Sequence, residues 1–507
     1  MSLILVLFTG IIGCDDFLDE KPSKTSSLIT TTAEQLDALL GNYANFYSEG
    51  DRNSIYGTDD YGFVVDLFDA RASMYGMAAM QYGCWDTEDV QFDGRIQFWP
   101  TEYRKIFTAN MVLQNLGNVT GTEELKTILK AEAHLVRAYS YLQLATKYCL
   151  PYTESTAGEL GLPLKQSTSF EELSTRNRLD ETYALIEADI EEALKTDVHL
   201  VQDGRVRSWR GNIGAANAFA SRYWLGRNDY TEALKYANAA LSEYSVLVDY
   251  NTEMYYSTRP MTGITINSNT PQQEIVYLKY PYTHDNQTDM TDMMGWKEFY
   301  YFRLLNHESW WYIPSEELLD LYGRDTMDLR YRYHMVEGYS YDRTVVNPGY
   351  DYPGYVFFFK DRIPSGPTVA EMILTKAECL ARNGNVAEAM TTVNQLRAKR
   401  MDNTLPASAI NLTAANREEA VKKILEERRR EMPYSRRWFD IRRFNTNDDA
   451  FDDVVITRHF YPFTQSAVLG NDPLKTYTLQ KNSRRYAFPI PNTELVSSDG
   501  KLLQNTY

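Results

Sequence analysis

Two stretches far apart in the chain share one design, and it narrows the possible folds more than any other feature. Asn212 to Leu225 and Tyr230 to Leu241 flank the turn LGRNDY. Small Ala215, Ala216, Ala218, Ala233, Ala237 and Ala240 recur there at helical spacing, with Leu225 and Tyr230 filling the turn. KAECLARNGNVAEAMTTVNQLRAKR repeats the pattern, with Gly384 between Ala377-Leu380 and Ala387-Ala389. Methyl side chains let two helical backbones approach closely, so each stretch predicts a tight helix pair that stacks on the next, as in tetratricopeptide packing. The expected fold class is all-α dominated: a tetratricopeptide-like helical scaffold with large loop-rich insertions and a few short strands.

The same period predicts further helices. FWPTEYRKIFTANMVLQNL, Phe98 to Leu116, carries it through Tyr103, Ile106, Phe107, Asn110 and Leu113. LKTILKAEAHLVRAYSYLQLATKYC carries it through Leu125, Leu129, Ala133, Val136 and Tyr139, and the two segments can pack antiparallel before Pro151 closes them. Thr31 to Gly41 is a short amphipathic helix, and Arg178 to Leu194 another. Asn42 to Asp93 reads as long loops with helical pieces. The tract between Asp249 and Thr368 is rich in Tyr, Pro, Gly and Asn, with strand candidates at Gln273 to Leu278 and Tyr355 to Lys360; Asn445 to Tyr486 reads as irregular. The expected organisation is a signal peptide at 1–13, a lipidated linker at 14–30 and one domain at 31–507. Its scaffold lies chiefly in 95–245 and 368–444, and its loop-rich ligand layer chiefly in 42–94, 249–367 and 445–486.

Leu3 to Ile12 is apolar but far short of the roughly 20 residues that cross a bilayer; it has the size of an export signal, and Gly13-Cys14 suits cleavage with lipid on the new terminal thiol. The formal charge of -17 over 507 residues opposes nucleic-acid binding, which needs clustered Lys and Arg. Four cysteines, one of them Cys14, imply no disulfide framework, and the six histidines form no HExxH or similar site. No cofactor is expected; the acid-rich loops leave calcium open, without EF-hand spacing to locate it. The informative excess is aromatic, with 38 Tyr, 21 Phe and 8 Trp.

Several blocks, in order, resemble one family. They are the start Cys14-Asp15-Asp16-Phe17-Leu18-Asp19; Trp99, Tyr103, Ile106, Ala109 and Asn110 on one helix; and Pro314-Ser315 with Leu318-Leu319-Asp320, then Asp328 and Arg330. The strongest is EERRREMPYSRRWFDIRRF, carrying Glu427, Arg428, Arg429, Glu431, Arg437, Trp438, Phe439, Asp440, Ile441 and Arg443. Phe488-Pro489-Ile490-Pro491 and Gln504-Asn505-Thr506-Tyr507 close the set. Together they resemble the SusD/RagB family, the starch-utilisation-system D-like nutrient-binding lipoproteins of Bacteroidetes. Where that family often has Glu-Gly before the Arg-Trp pair, this chain has Tyr434-Ser435 nearby, so the local turn departs from the pattern.

The resemblance implies a cell-surface, outer-membrane, lipid-anchored protein that captures oligosaccharide or polysaccharide, or in some members peptide, without cleaving it. It also implies a partner, a SusC/RagA-type TonB-dependent transporter that the lipoprotein covers like a lid. Trp99, Tyr103, Asn110, Arg428, Arg429, Arg437, Trp438 and Asp440 are expected to be framework. The Glu427 to Phe444 block itself reads as ion pairs and apolar anchors bracing helix ends.

Sugar rings offer C–H faces to aromatic rings and hydroxyls to carboxylates and amides, so a glycan site wants flat aromatics beside polar groups on loops. In the resembled family, glycan-contacting aromatics can lie in the loop before the early helix. Trp85 with Asp86 and Glu88 is the first candidate; Trp296, Tyr300, Arg303, Asn306 and Trp310 form the second. Catalysis is weakly supported. Asp59-Asp60 and Asp452-Asp453 are adjacent acids, whereas a glycosidase needs two carboxylates facing across a cleft; no GxSxG elbow occurs, and His134 sits on a helix where it can bond within the bundle.

Overall fold

The computed structural model describes residues 30–50, 52–70, 72, 75–87, 98–169, 175–256, 281–282, 293–306, 312–336, 352–358 and 362–507. The apolar leader, Cys14 and the strand candidate Gln273 to Leu278 lie outside these residues.

Helix α1 (Ala33–Gly41) starts at Thr32, where Gln35 Oε1 accepts the backbone N–H of Thr31 at 2.7 Å, and it buries Ala33, Leu36 and Leu40. Then come α2 (Phe98–Asn115), α3 (Glu123–Tyr148), α4 (Leu179–Ala193), α5 (Ile213–Gly226) and α6 (Tyr230–Glu243). After the long insertion follow α7 (Val369–Arg382), α8 (Val386–Arg400) and α9 (Arg417–Glu431). Side chains of Thr122, Asn212, Asp229, Thr368 and Asn416 accept first-turn N–H groups of α3, α5, α6, α7 and α9, so these starts are written into the sequence. The helices stack as a row, α2 on α3, α3 on α4, α5 on α6, α6 on α7, and α7 on both α8 and α9. The row is thus continuous although the tract between Glu243 and Val369 interrupts it in sequence. Alanine permits this: Ala215, Ala216, Ala218, Ala233, Ala237 and Ala240 are all buried, and Ser221 Oγ reaches across the pair to donate to Ala233 O at 2.8 Å.

The excursions return to this row through short sheets. Strand β1 (Ser48–Glu49) runs parallel to β2 (Leu304–Asn306), which pairs antiparallel with β3 (Arg362–Pro364), joining the first loop tract to the central one. Just after β3 the backbone passes so close to Tyr301 that a Cβ on Gly366 would fall 1.8 Å from its carbonyl oxygen. The strand expected at Tyr355 to Lys360 is shorter than expected: Gly354–Tyr355 pairs with Met335–Val336, and 359–361 lie outside the described residues.

The irregular reading of Asn445 to Tyr486 is corrected. Strands β4 (Ile456–Phe460) and β5 (Lys475–Leu479) form an antiparallel hairpin with five facing pairs. Ile456, Arg458 and Phe460 turn inward while Thr457 and His459 face solvent, the two-residue alternation of a half-buried strand. Phe460 meets Phe63, Phe68 and Tyr75 at ring separations of 5.3, 5.6 and 5.3 Å, so this hairpin closes over the first loop tract. Helices α10 (Arg437–Phe444) and α11 (Asn492–Ser497) complete the chain. No helix among the described residues is long and apolar enough to cross a membrane.

Candidate functional site

Three of the rings that the sequence offered as a ligand platform, Trp85, Trp296 and Tyr300, are core. Trp85 is 1% exposed at φ 53°; its indole N–H donates to Gly57 O at 3.0 Å, and the Arg458 guanidinium stands 5.1 Å from its ring centre. Trp296 is 4% exposed, with Tyr250, Phe357 and Phe358 edge-on around it. Tyr300 is buried against α5, its hydroxyl donating to Tyr244 O. Arg303 lies buried over the Tyr301 ring at 3.7 Å and donates to Phe302 O. These four expectations are corrected: a large ring on a loop laid over a scaffold gains most by covering it, since each aromatic removes about 150–250 Å² from water. Asp86 is half-buried. Asn306 is a β2 residue opposite Arg362, and Glu88 and Trp310 lie outside the described residues.

The framework block is an ion-pair lattice. Arg428 grips Asp440 at 2.9 and 3.1 Å, and Arg443 grips Glu378 at 2.6 and 2.8 Å. Arg437 holds Asp59 with two bonds of 2.7 Å, and Arg429 holds Asp60 at 2.6 Å. Burial opposes the Asp59 charge, but Arg429 and Arg437 outweigh it and lower its pKa; burial wins at neighbouring Asp60, whose pKa rises. The two acids are therefore committed to arginine. Tyr434 makes the departing turn at φ 62°, which aims its backbone N–H at Asp60 (2.8 Å). His134 bonds Asp189 within the bundle at 2.6 Å. Asp452 is bound by Arg382, and Asp453 by Lys481 at 2.6 Å.

An open cleft lies elsewhere, between α2, the segment 163–169 and α11. It encloses about 330 Å³. Trp99, Tyr103 and Phe107, spaced by four on α2, line one wall as a stripe, with Tyr103 and Phe107 half-buried and Trp99, 4% exposed, set in the core behind them. Tyr103 is fixed by its hydroxyl bond to Pro163 O at 2.9 Å; the Trp99 ring lies tilted to it at 5.1 Å, and the Trp99 indole N–H has no acceptor among the described residues. Asn110 closes the floor, donating to Lys165 O at 3.0 Å while accepting from Arg137 at 2.8 Å. Across the cleft stands Glu494, whose carboxyl is raised by partial burial and which pairs with no cation among the described residues; Ser497 and Ser498 lie beside it. Rings on one side and a lone acid with hydroxyls on the other suit a polyhydroxylated ligand. Sequence reasoning treated Trp99, Tyr103 and Asn110 as framework only. The signal it passed over was the four-residue aromatic spacing with Phe107. No group of three or more His, Cys, Asp or Glu among the described residues could hold a metal ion, so calcium gains no location.

Residues 16–225 match a family described as starch-binding and associating with the outer membrane, and residues 369–507 match the SusD family. SusD-like protein P2 of Formosa agariphila is 22% identical over 542 residues, spanning 99% of this chain and 98% of that one. A SusD superfamily protein of Bacteroides thetaiotaomicron superposes with a TM-score of 0.60 at 17% identity, covering 94% of this chain and 100% of the other. Surface glycan-binding protein A of Bacteroides uniformis gives 0.57 at 16% identity, covering 94% and 99%.

Proposed function

This chain belongs to the SusD family, and on that premise we propose that it is a non-catalytic, lipid-anchored protein of the outer cell surface that captures oligosaccharide and passes it to a TonB-dependent transporter of the SusC/RagA type. The leader 1–13 is removed and Cys14 carries the lipid, tethering the domain without embedding it. Held above its transporter, such a protein works with modest affinity, because tethering raises the local ligand concentration.

The cleft along α2 carries the ligand class: an aromatic stripe facing a partly buried carboxylate with no cation among the described residues is the pairing that a sugar's C–H face and hydroxyls satisfy together. A peptide would instead call for an exposed strip of backbone donors and acceptors.

The test is a glycan-array screen followed by titration of the best binder. Phe107→Ala and Glu494→Gln should each weaken binding about tenfold, roughly 1.4 kcal/mol, with melting temperature unchanged. Tight binding that ignores both changes would move the site to the loop tracts. Saturable binding of peptides alone would replace the ligand class.

A further inference from the structure

The polar groups of the α2 cleft turn their protons to nearby backbone. Ser497 Oγ donates to Thr493 O at 2.8 Å, Ser498 Oγ to Leu495 O at 2.7 Å, and Tyr103 Oη to Pro163 O at 2.9 Å. On the floor, the Asn110 amide donates to Lys165 O at 3.0 Å and Ser167 O at 3.3 Å, and its oxygen accepts from Arg137. What the far wall leaves for a ligand is the lone pairs of Ser497 beside the Glu494 carboxylate, which has no donor and no cation among the described residues. Lys165 also lines the cleft, but no ion pair joins the two, and burial is the one cause of the raised Glu494 carboxyl. The carboxylate lies within electrostatic reach of the aromatic wall: burial raises the Tyr103 and Tyr148 phenols, and the Glu494 charge adds to both.

A wall of acceptors asks for donors. Sugar hydroxyls can supply them, but they leave the Glu494 charge uncancelled in a half-buried place. An ammonium carries three donors and no acceptor, cancels that charge, and makes hydrogen bonds roughly twice as strong as neutral ones. Ring faces attract it as well, through their quadrupole. The formal charge of -17 draws cations towards the molecule and opposes uronate and sulfated chains. At about 330 Å³ the cleft is at the small end of ligand sites, which span about 300–1,000 Å³, so it takes a short stretch of one chain.

We infer that this cleft is a subsite for an amino sugar whose amine is free: the ammonium sits at Glu494 and the Ser497 hydroxyl, and the C–H face of the ring lies on Tyr103 and Phe107. This rests on the cleft being a saccharide site.

Matched trisaccharides test it, glucosamine against N-acetylglucosamine and galactosamine against N-acetylgalactosamine. They are titrated by calorimetry in about 0.15 M salt at about pH 6.5, between the ordinary carboxyl and amine values. In at least one pair the free amine should bind about tenfold tighter. Glu494→Gln should abolish that preference with melting temperature unchanged, and Phe107→Ala should weaken both members alike. In the unaltered protein the preference should also fade as pH falls and Glu494 takes up its proton. Glu494→Gln removes one of 17 net negative charges, so general attraction of a cation survives it; a preference that survives with it overturns the inference. Tight binding of neutral glycans that Phe107→Ala weakens, with no preference for the amine, would remove the inference and keep the cleft. Saccharide binding of either kind that ignores Phe107→Ala would remove both.

Discussion

Trp85 illustrates how a residue changes role once its surroundings are known. Its ring is covered on one face by Arg458 and its N–H is spent on Gly57, so Trp85→Ala should cost about 3–5 kcal/mol of stability, read as a lower denaturation midpoint. Any loss of ligand binding in that variant should follow unfolding. His334 supports a second prediction. It is buried between Tyr250 Oη at 3.0 Å, Val356 O at 3.0 Å and the stacked Phe357 ring, with Glu431, Arg400 and Arg330 nearby. Burial lowers its pKa to about 4. Nδ1 then donates to Val356 and Nε2 accepts from Tyr250, so the folded state holds the ring neutral. Below pH 6.5 the unfolded chain takes up a proton that the folded chain refuses; stability should fall as pH drops from 6.5 towards 4, by up to about 3 kcal/mol. Melting curves across that range should flatten in His334→Gln, and imidazole NMR shifts should stay constant above pH 5.

At the level of elements, two glycines separate conformational from steric need. Gly384 sits at φ 86° in the turn between α7 and α8 with open space around its Cβ position, so Gly384→Ala should cost only about 1–2 kcal/mol. Gly366 has a backbone carbonyl where a Cβ would go, and Gly366→Ala should abolish soluble expression. The helices were legible because their signals are local: alanines at helical spacing for α5 and α6, a capping Thr or Asn one residue before the start, Gly384 at the turn. The hairpin was equally local, since Ile456, Arg458 and Phe460 alternate as a strand should, but an arginine at an inward position broke the apolar pattern. Only the neighbouring Tyr56 and Thr58 carbonyls, which accept from Arg458, explain why it points in. For the same reason the loop tryptophans could not be assigned a face. Whether a ring on an aperiodic segment looks in or out depends on what arrives opposite it from elsewhere in the chain.

Across the whole molecule, the ion-pair lattice joins parts that sequence keeps far apart. Removing one partner of a buried pair leaves the other charge stranded, so Arg429→Met should cost about 3–5 kcal/mol, and Asp60→Asn on that background should recover part of it; a double-mutant cycle in urea measures the coupling. The arginines of the EERRREM block were recognised as framework, but their partners Asp59 and Asp60 were weighed only as candidate catalytic acids. The cleft was legible as a helix face and illegible as a cavity, because its far wall, α11, comes from the other end of the fold.

Asp60 meets Arg429 across 369 residues of chain. At a synthesis rate of about 5–20 residues per second, those two acids exist for roughly 20–70 seconds before their guanidinium partners are made. Throughout that interval the first loop tract lacks the hairpin that covers its rings. Pulse-chase proteolysis should find the early tract cleavable until the late arginines emerge.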